Sequence, residues 1–337
     1  MEAIQNAIPA NVSGASANEH VSASTLTAIG KRITTDLSGV SSGDDSYKES
    51  GVWLSAIGGK AIKTGEEELY GYKTTMAGFS LGGDVLLESD ILAGAAFTYS
   101  KSFMRSSDYR EGDKSDAESF MFSVYSAYHG FESWTIGGTL LYGYTKVHDK
   151  KLKIITAPSS DPITLAASGK YNSHVYVIDT NIGYKYSIEQ IGSSLVPSLG
   201  VRYSSFDEDA YDETGADIMN FSYAKKTGIN KGIVSPGIKF SKDDIYLDGM
   251  QVIPEIFGSI DHTFTQNKPK IKARWLKSIV LTNSDSTMGS GDKDTEYNLG
   301  LGVTSKSHWI QFSAGYKNTF AKKFMNHQGS LKLRMNL

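Results

Sequence analysis

The sequence predicts an all-β membrane protein: a closed antiparallel β-barrel of about twelve strands, preceded by a single α-helix. Three observations predict it. Hydrophobicity alternates with a period of two along segments that reach the roughly 9–11 residues needed to cross a bilayer at a tilt. The connectors sort by parity, mostly short after even-numbered segments and mostly long after odd-numbered ones. No window approaches the roughly 18 consecutive apolar residues of a transmembrane helix.

Composition agrees. The chain has 337 residues and a formal net charge of -3, so no bulk charge draws it to nucleic acid. Mean hydropathy is -0.28, which resembles a soluble protein. A membrane barrel reads the same way, because only alternate strand residues meet lipid. There are 34 Gly, 19 Tyr and 7 Pro. That suits long strands with glycine at tight positions and tyrosine at membrane–water interfaces. Cysteine is absent, which excludes disulfides, thiol catalysis and cysteine-based zinc sites. The opening MEAIQNAIPA lacks the basic and apolar regions of a secretory signal, so any export signal is expected upstream of Met1.

Residues 1–17 are small and polar, without periodicity, and read as a linker. Residues 18–48 read as a helix and its connection. From Asn18 to Leu37, Leu26, Ile29, Ile33 and Leu37 form a thin apolar stripe at helical spacing, and Gly39 and Gly43 are stop signals. So many Ser and Thr make a poor helix in water, so this one needs a surrounding surface. Its roughly 20 residues would span about 30 Å.

Residues 49–337 read as the barrel. Strands are expected to start near Gly51, Tyr72, Ile91, Ala117, Trp134, Tyr171, Leu195, Phe221, Met250, Asp294, His308 and Met325. Within 134–145, Trp134, Ile136, Leu140, Tyr142 and Tyr144 share one face, and Thr135, Gly137, Thr139, Gly143 and Thr145 share the other. The chain ends likewise, with Leu331, Leu333, Met335 and Leu337 against Lys332, Arg334 and Asn336. Short turns fall at Glu88–Asp90, His129–Glu132, Glu189–Ser193 and Lys306–Ser307. Long polar connectors fall at Lys63–Gly71, Arg105–Ser115, His148–Gly169, Phe206–Asn220 and Gln266–Lys293. A soluble β-sandwich has no reason to sort its loops this way. By the same parity Asp179, Lys185, Arg202, Lys239, Glu255, Asp261, Glu296, Lys317, Lys332 and Arg334 are expected to line the lumen. A charge facing lipid would cost about 2–4 kcal/mol at the midplane.

Several stretches together resemble the autotransporter family, and within it the translocator domains of rickettsial surface cell antigens. They are Ser41-Ser42-Gly43-Asp44-Asp45 after the helix, Gly51-Val52-Trp53, Tyr70-Gly71-Tyr72-Lys73, Gly78-Phe79-Ser80-Leu81-Gly82 and the terminal Gly329-Ser330-Leu331-Lys332-Leu333-Arg334-Met335-Asn336-Leu337. The resemblance covers Asn18 to Leu337. It implies an outer-membrane barrel with the helix threaded through its pore, long loops outside, and an N-terminal passenger that the barrel exports and anchors. It implies outer-membrane lipids and the barrel-assembly machinery as partners, and a monomeric barrel. Leu331, Leu333, Met335 and Leu337 are then the assembly signal, although many relatives end in Phe or Trp. Threading also puts Lys31 and Arg32 in the pore, where Glu255, Asp261 or Glu296 could pair with them. Some relatives cut this helix at an Asn; Asn11 and Asn18 are the nearest residues of that type, and neither is assigned the role.

Chemical motifs are few. Gly78-Phe79-Ser80-Leu81-Gly82 matches a hydrolase nucleophile pattern but has strand on both sides, where that chemistry needs a strand-to-helix turn. The seven histidines show no metal-binding spacing. The acidic run Asp207, Glu208, Asp209, Asp212, Glu213, Asp217 and the lysines 146, 150, 151 and 153 read as solvated loops. No catalytic residue, metal site or cofactor is expected. The alternative is a freestanding porin or surface adhesin barrel.

Overall fold

The computed structural model describes residues 13–35, 50–65, 71–87, 90–131, 133–157, 160–243, 245–247, 249–267, 270–271, 273–276, 286–287, 295–307 and 309–337. Among these residues one α-helix, α1 (Ser13–Thr35), precedes twelve long strands. These are β1 (Gly51–Lys63), β2 (Tyr72–Leu87), β3 (Ile91–Ser106), β4 (Lys114–Phe131), β5 (Trp134–Ala157), β6 (Ser160–Tyr184), β7 (Ser193–Glu208), β8 (Lys226–Lys242), β9 (Met250–Gln266), β10 (Thr295–Lys306), β11 (Ile310–Ala321) and β12 (Phe324–Asn336). Each pairs antiparallel with its sequence neighbours, and β12 returns to β1 in register from Gly51↔Asn336 to Lys63↔Phe324. The sheet is therefore a closed barrel whose backbone donors and acceptors are met by ladders, as lipid requires.

Alternation decides which way each side chain points. On β1, Trp53, Ser55 and Ile57 are buried while Val52 and Leu54 are exposed. On β10, Asn298, Gly300, Gly302 and Thr304 face in, and Tyr297, Leu299, Leu301 and Val303 face out. The exposed large apolar residues thus form an outer band, and the interior is rich in Ser, Thr and Gly. Here the core of a soluble protein is inverted, which is the arrangement a hydrocarbon solvent favours.

The two ends differ. At one, tight turns join even strands to odd ones; Asp90 and Gly249 adopt φ of 59° and 79° there, a left-handed geometry suited to abrupt reversal. At the other, strands run past the membrane. β5 and β6 are 24 and 25 residues long. The segment 148–169, expected as a loop, is instead largely strand, because Asp149, Lys151 and Lys153 face inward and find partners there. The expected strand start at Phe221 also divides: Phe221–Tyr223 joins a separate three-stranded sheet with Tyr211–Asp212 and Ala273–Trp275, and β8 itself begins at Lys226. The expected starts at Asp294 and His308 fall on residues outside those described.

Candidate functional site

The lumen is the site, and α1 fills part of it. The helix begins at Ser13, five residues before the expected Asn18, because the small residues ahead of Asn18 continue the turn and Ala17 packs at the long-connector end. Leu37 lies outside the described residues. Ser24, Thr25 and Thr27 donate their hydroxyls to carbonyls four residues back, and Ser22 does so three back, so these groups are satisfied within the helix. Val21, Leu26 and Ile29 are buried against the barrel wall, which supplies the surface the helix lacks in water.

Polar contacts then set its height and rotation. Asn18 is fully buried: its Nδ2 donates to Ser173 Oγ at 2.7 Å, and its Oδ1 accepts from the Thr145 hydroxyl, whose oxygen lies 2.8 Å from Ser119 Oγ and can accept from it. Glu19 accepts from Lys231 Nζ, and Lys231 also lies 4.0 Å from Glu296. Lower down, Gln328 donates to Ser24 Oγ at 3.2 Å and Lys332 donates to the Ala28 carbonyl at 3.2 Å. The helix thus touches strands from β1 to β8 and β12 along its length.

At the short-turn end Trp53, Leu92, Ala96, Tyr125 and Ala127 pack around Ile29. Trp53 Nε1 donates to Tyr125 Oη at 3.0 Å, Tyr125 donates to Asp84 at 3.0 Å, and Arg334 Nη1 reaches both Asp84 oxygens at 2.9 and 3.1 Å. Lys332 Nζ sits 4.3 Å from the Trp53 ring centre. Gly82 and Gly94 make this possible: a Cβ on either would lie 2.4 Å from Trp53 or Tyr125 ring atoms.

At the long-connector end the three-stranded sheet leans over the helix start. Tyr171, Tyr211 and Tyr223 stack at 4.6 and 4.5 Å, Phe221 packs on Trp275 at 4.2 Å, and this cluster includes Ala17. Glu213 binds Lys153 at 2.9 Å and Tyr223 Oη at 3.0 Å, with Lys151 at 3.6 Å. Glu208 pairs with Lys226 at 2.6 Å. Lys151, Lys153, Glu208 and Glu213 are all buried, so reading them as solvated loop residues is wrong. Opposite signs brought together by folding stabilise each other inside, and no local pattern announces it. Burial works against the Glu213 charge, but Lys151 and Lys153 outweigh it and hold its pKa below the usual carboxylate value. Burial lowers the Lys153 pKa to about 8, with Glu213 opposing. Burial raises Tyr211 and Tyr223 well above the ordinary phenol.

The residues expected in the lumen are distributed as follows. Asp179 and Arg202 pair across β6 and β7 at 2.9 Å. Asp261 opposes Glu296 in register, and the half-buried Glu255 lies over Gly302, where an added Cβ would come within 2.6 Å of its carboxylate and push it aside. Lys239 and Lys317 lie on the inward phase of β8 and β11. Lys185 sits in the short-turn connection after β6, where burial lowers its pKa against the pull of Asp243. Lys332 and Arg334 make the contacts given above. Lys31 and Arg32 are on α1, but their side chains lie outside the described residues. Glu296 stands at the level of Glu19, twelve residues before Lys31 and so about 18 Å along the axis. Leu331, Leu333, Met335 and Leu337 are all exposed. Parity alone could have added Asp84. Glu19 with Lys231 had no signal in the sequence, since 212 residues separate them. Among the described residues no cluster of metal-ligating groups occurs.

A closed twelve-stranded barrel with an apolar outer band and a helix inside defines an outer-membrane translocator fold. Residues 52–317 match the family described as the autotransporter beta-domain, and the chain belongs to that family, whose barrels sit in the bacterial outer membrane. It is 28% identical over 322 residues to outer membrane protein A of Rickettsia conorii, covering 93% of this chain and 16% of that protein. It is 26% identical over 304 residues to outer membrane protein B of Rickettsia japonica, covering 88% and 18%. The chain therefore spans less than a fifth of the relatives it matches. The fold resembles the translocator domain of the autotransporter NalP from Neisseria meningitidis, with a TM-score of 0.68, 15% identity and coverage of 96% and 99%. It also resembles the beta domain of the Bordetella autotransporter BrkA, with a TM-score of 0.60, 13% identity and coverage of 86% and 100%.

Proposed function

We propose that this barrel exports an N-terminal passenger and then holds it at the cell surface, with α1 as the closing plug. One observation carries the reading: α1 runs inside the lumen with its start at the long-connector end, so whatever precedes Ser13 leaves through that mouth. Residues 1–17 are then the passenger junction, its last five residues already helical, 18–48 the rest of the pore-threading helix and its connection, and 49–337 the anchor. The contacts of Asn18, Glu19, Ser24 and Ala28 with the wall support a seated plug rather than a passing chain. Lys31, Arg32 and the ten barrel charges named above are the pore lining, with Lys185 at its short-turn rim. The outward Leu331, Leu333, Met335 and Leu337 present the last strand to the barrel-assembly machinery. Closure of β12 on β1 leaves no free edge, which favours a monomer.

The test is an epitope placed before residue 1, in cells expressing the chain with an export signal. Surface protease should remove the epitope from intact cells, and deletion of residues 51–337 should abolish that exposure. An epitope retained in the periplasm beside a folded barrel would overturn the reading.

A further inference from the structure

The barrel's outer wall carries a second, distinct feature. Phe79, Tyr99, Phe120 and Tyr144 lie in direct register across β2 to β5, with ring centres 6.0, 5.2 and 6.5 Å apart. They face outward and mark an aromatic girdle. Six residues further toward the long-connector end, the same four strands place Lys73, Arg105, Lys114 and Lys150 in register: Lys73 opposes Arg105, Arg105 opposes Lys114, and Lys114 opposes Lys150. All four are exposed. Between the rows lie Lys101 and Lys146, both outward; Lys101 pairs with Glu118 at 2.8 Å. Arg105 reaches Asp116 at 3.0 Å, whereas Lys73, Lys114 and Lys150 make no ion pair with any described residue. On the outer halves of β7 to β11, no described Lys or Arg points outward. Among the described strand residues the outward charge on the outer halves lies on β1 to β6, with Lys60 and Lys170 flanking the four.

Like charges directly opposite one another on a sheet repel. Four in a row across four strands therefore call for an anion. At about 2.5 Å of height per tilted strand residue, the row stands about 15 Å above the girdle. The long stems of the four side chains reach back from there toward the headgroup layer. We propose that this wall binds the phosphorylated headgroups of outer-leaflet lipids, with Lys73, Arg105, Lys114 and Lys150 as the phosphate ligands. The guanidinium of Arg105 offers a forked donor pair, and the lysines offer mobile point charges. Lys101 and Lys146 carry outward positive charge from the row down toward the girdle, and that is what selects a lipid over a soluble anion.

The test uses the 337-residue chain folded in phosphatidylcholine vesicles. The temperature at which the folded gel mobility is lost is measured with a minor fraction of bis-phosphorylated lipid A, or with its dephosphorylated form. The phosphorylated lipid should raise that temperature by roughly 2–4 °C, and the dephosphorylated form should not. Changing Lys73→Gln, Arg105→Gln, Lys114→Gln and Lys150→Gln together should abolish the shift, while Lys225→Gln with Lys306→Gln should keep it. If the fourfold variant fails to fold, Lys73→Gln with Lys150→Gln should still reduce the shift. An unshifted wild type, or a variant that keeps the shift, overturns the proposal. So does an equal shift from inorganic phosphate, which would make this a free-anion site, or binding of heparin without any lipid response, which would assign it to an acidic polysaccharide.

Discussion

At the scale of single residues, the buried charges at the outer mouth matter most. Glu213 is 1% exposed and holds Lys153, Lys151 and Tyr223 together. Glu213→Ala should cost about 3–5 kcal/mol of local stability, because it leaves buried ammonium groups uncompensated. Urea unfolding followed by fluorescence of a variant with Trp275 as its one tryptophan would read this. The same assay tests pH. Lys153 has a folded pKa of about 8, below its unfolded value, so its unfavourable contribution is present in full below pH 8. It is relieved as pH rises from about 8 toward the unfolded lysine value of about 10.4. The urea midpoint of the mouth sheet should therefore rise with pH over that window, and Lys153→Met should flatten the rise. Glu213 acts in the other window. Its depressed pKa contributes stability that is present above the unfolded carboxylate value and lost as pH falls through the folded one. Lys151 and Lys153 lie among Lys146 and Lys150, and nothing local separates the buried pair from the exposed one except strand parity.

At the scale of elements, α1 is stable only where it is. The hydroxyls of Ser22, Ser24, Thr25 and Thr27 are self-satisfied, yet its sequence has few strong helix formers, so an isolated peptide of residues 13–35 should show little helical circular dichroism in water. The barrel does not need it for its own hydrogen bonding, since every ladder closes without it. Removing residues 1–49 should leave a heat-modifiable barrel and raise single-channel conductance in a planar bilayer several-fold. An unchanged conductance would show that α1 is not the main obstruction. In the sequence, the helix was legible from Leu26 and Ile29, but its start was not, because Ser13 to Ala17 offer no apolar stripe. Ala17 is held by an aromatic cluster drawn from distant connectors.

At the scale of the whole molecule, the outer band decides stability. Leu54 on β1 faces lipid between Leu333 of β12 and Leu81 of β2. Leu54→Arg should cost about 2–4 kcal/mol, the penalty of a cation facing hydrocarbon. Ser55→Ala next to it faces inward and should be close to neutral. Folding into vesicles at graded urea concentrations would separate the two. A similar loss for both would mean that the two faces are not solvated differently.

Alternation of side chains is a one-dimensional property, and strands express it directly. For that reason the twelve segments, the inward phase of Asp179, Arg202, Lys332 and Arg334, and the sorting of connectors could all be read from residue order alone. Partnership is a different matter. Glu19 meets Lys231, Asp84 meets Arg334, and Glu213 meets Lys153, across 212, 250 and 60 positions. Closing a sheet brings remote positions to one height, and only the strand register decides which. The tertiary structure alone therefore set where the helix sits in the lumen, which charges it meets, and which basic residues line up on one outer wall.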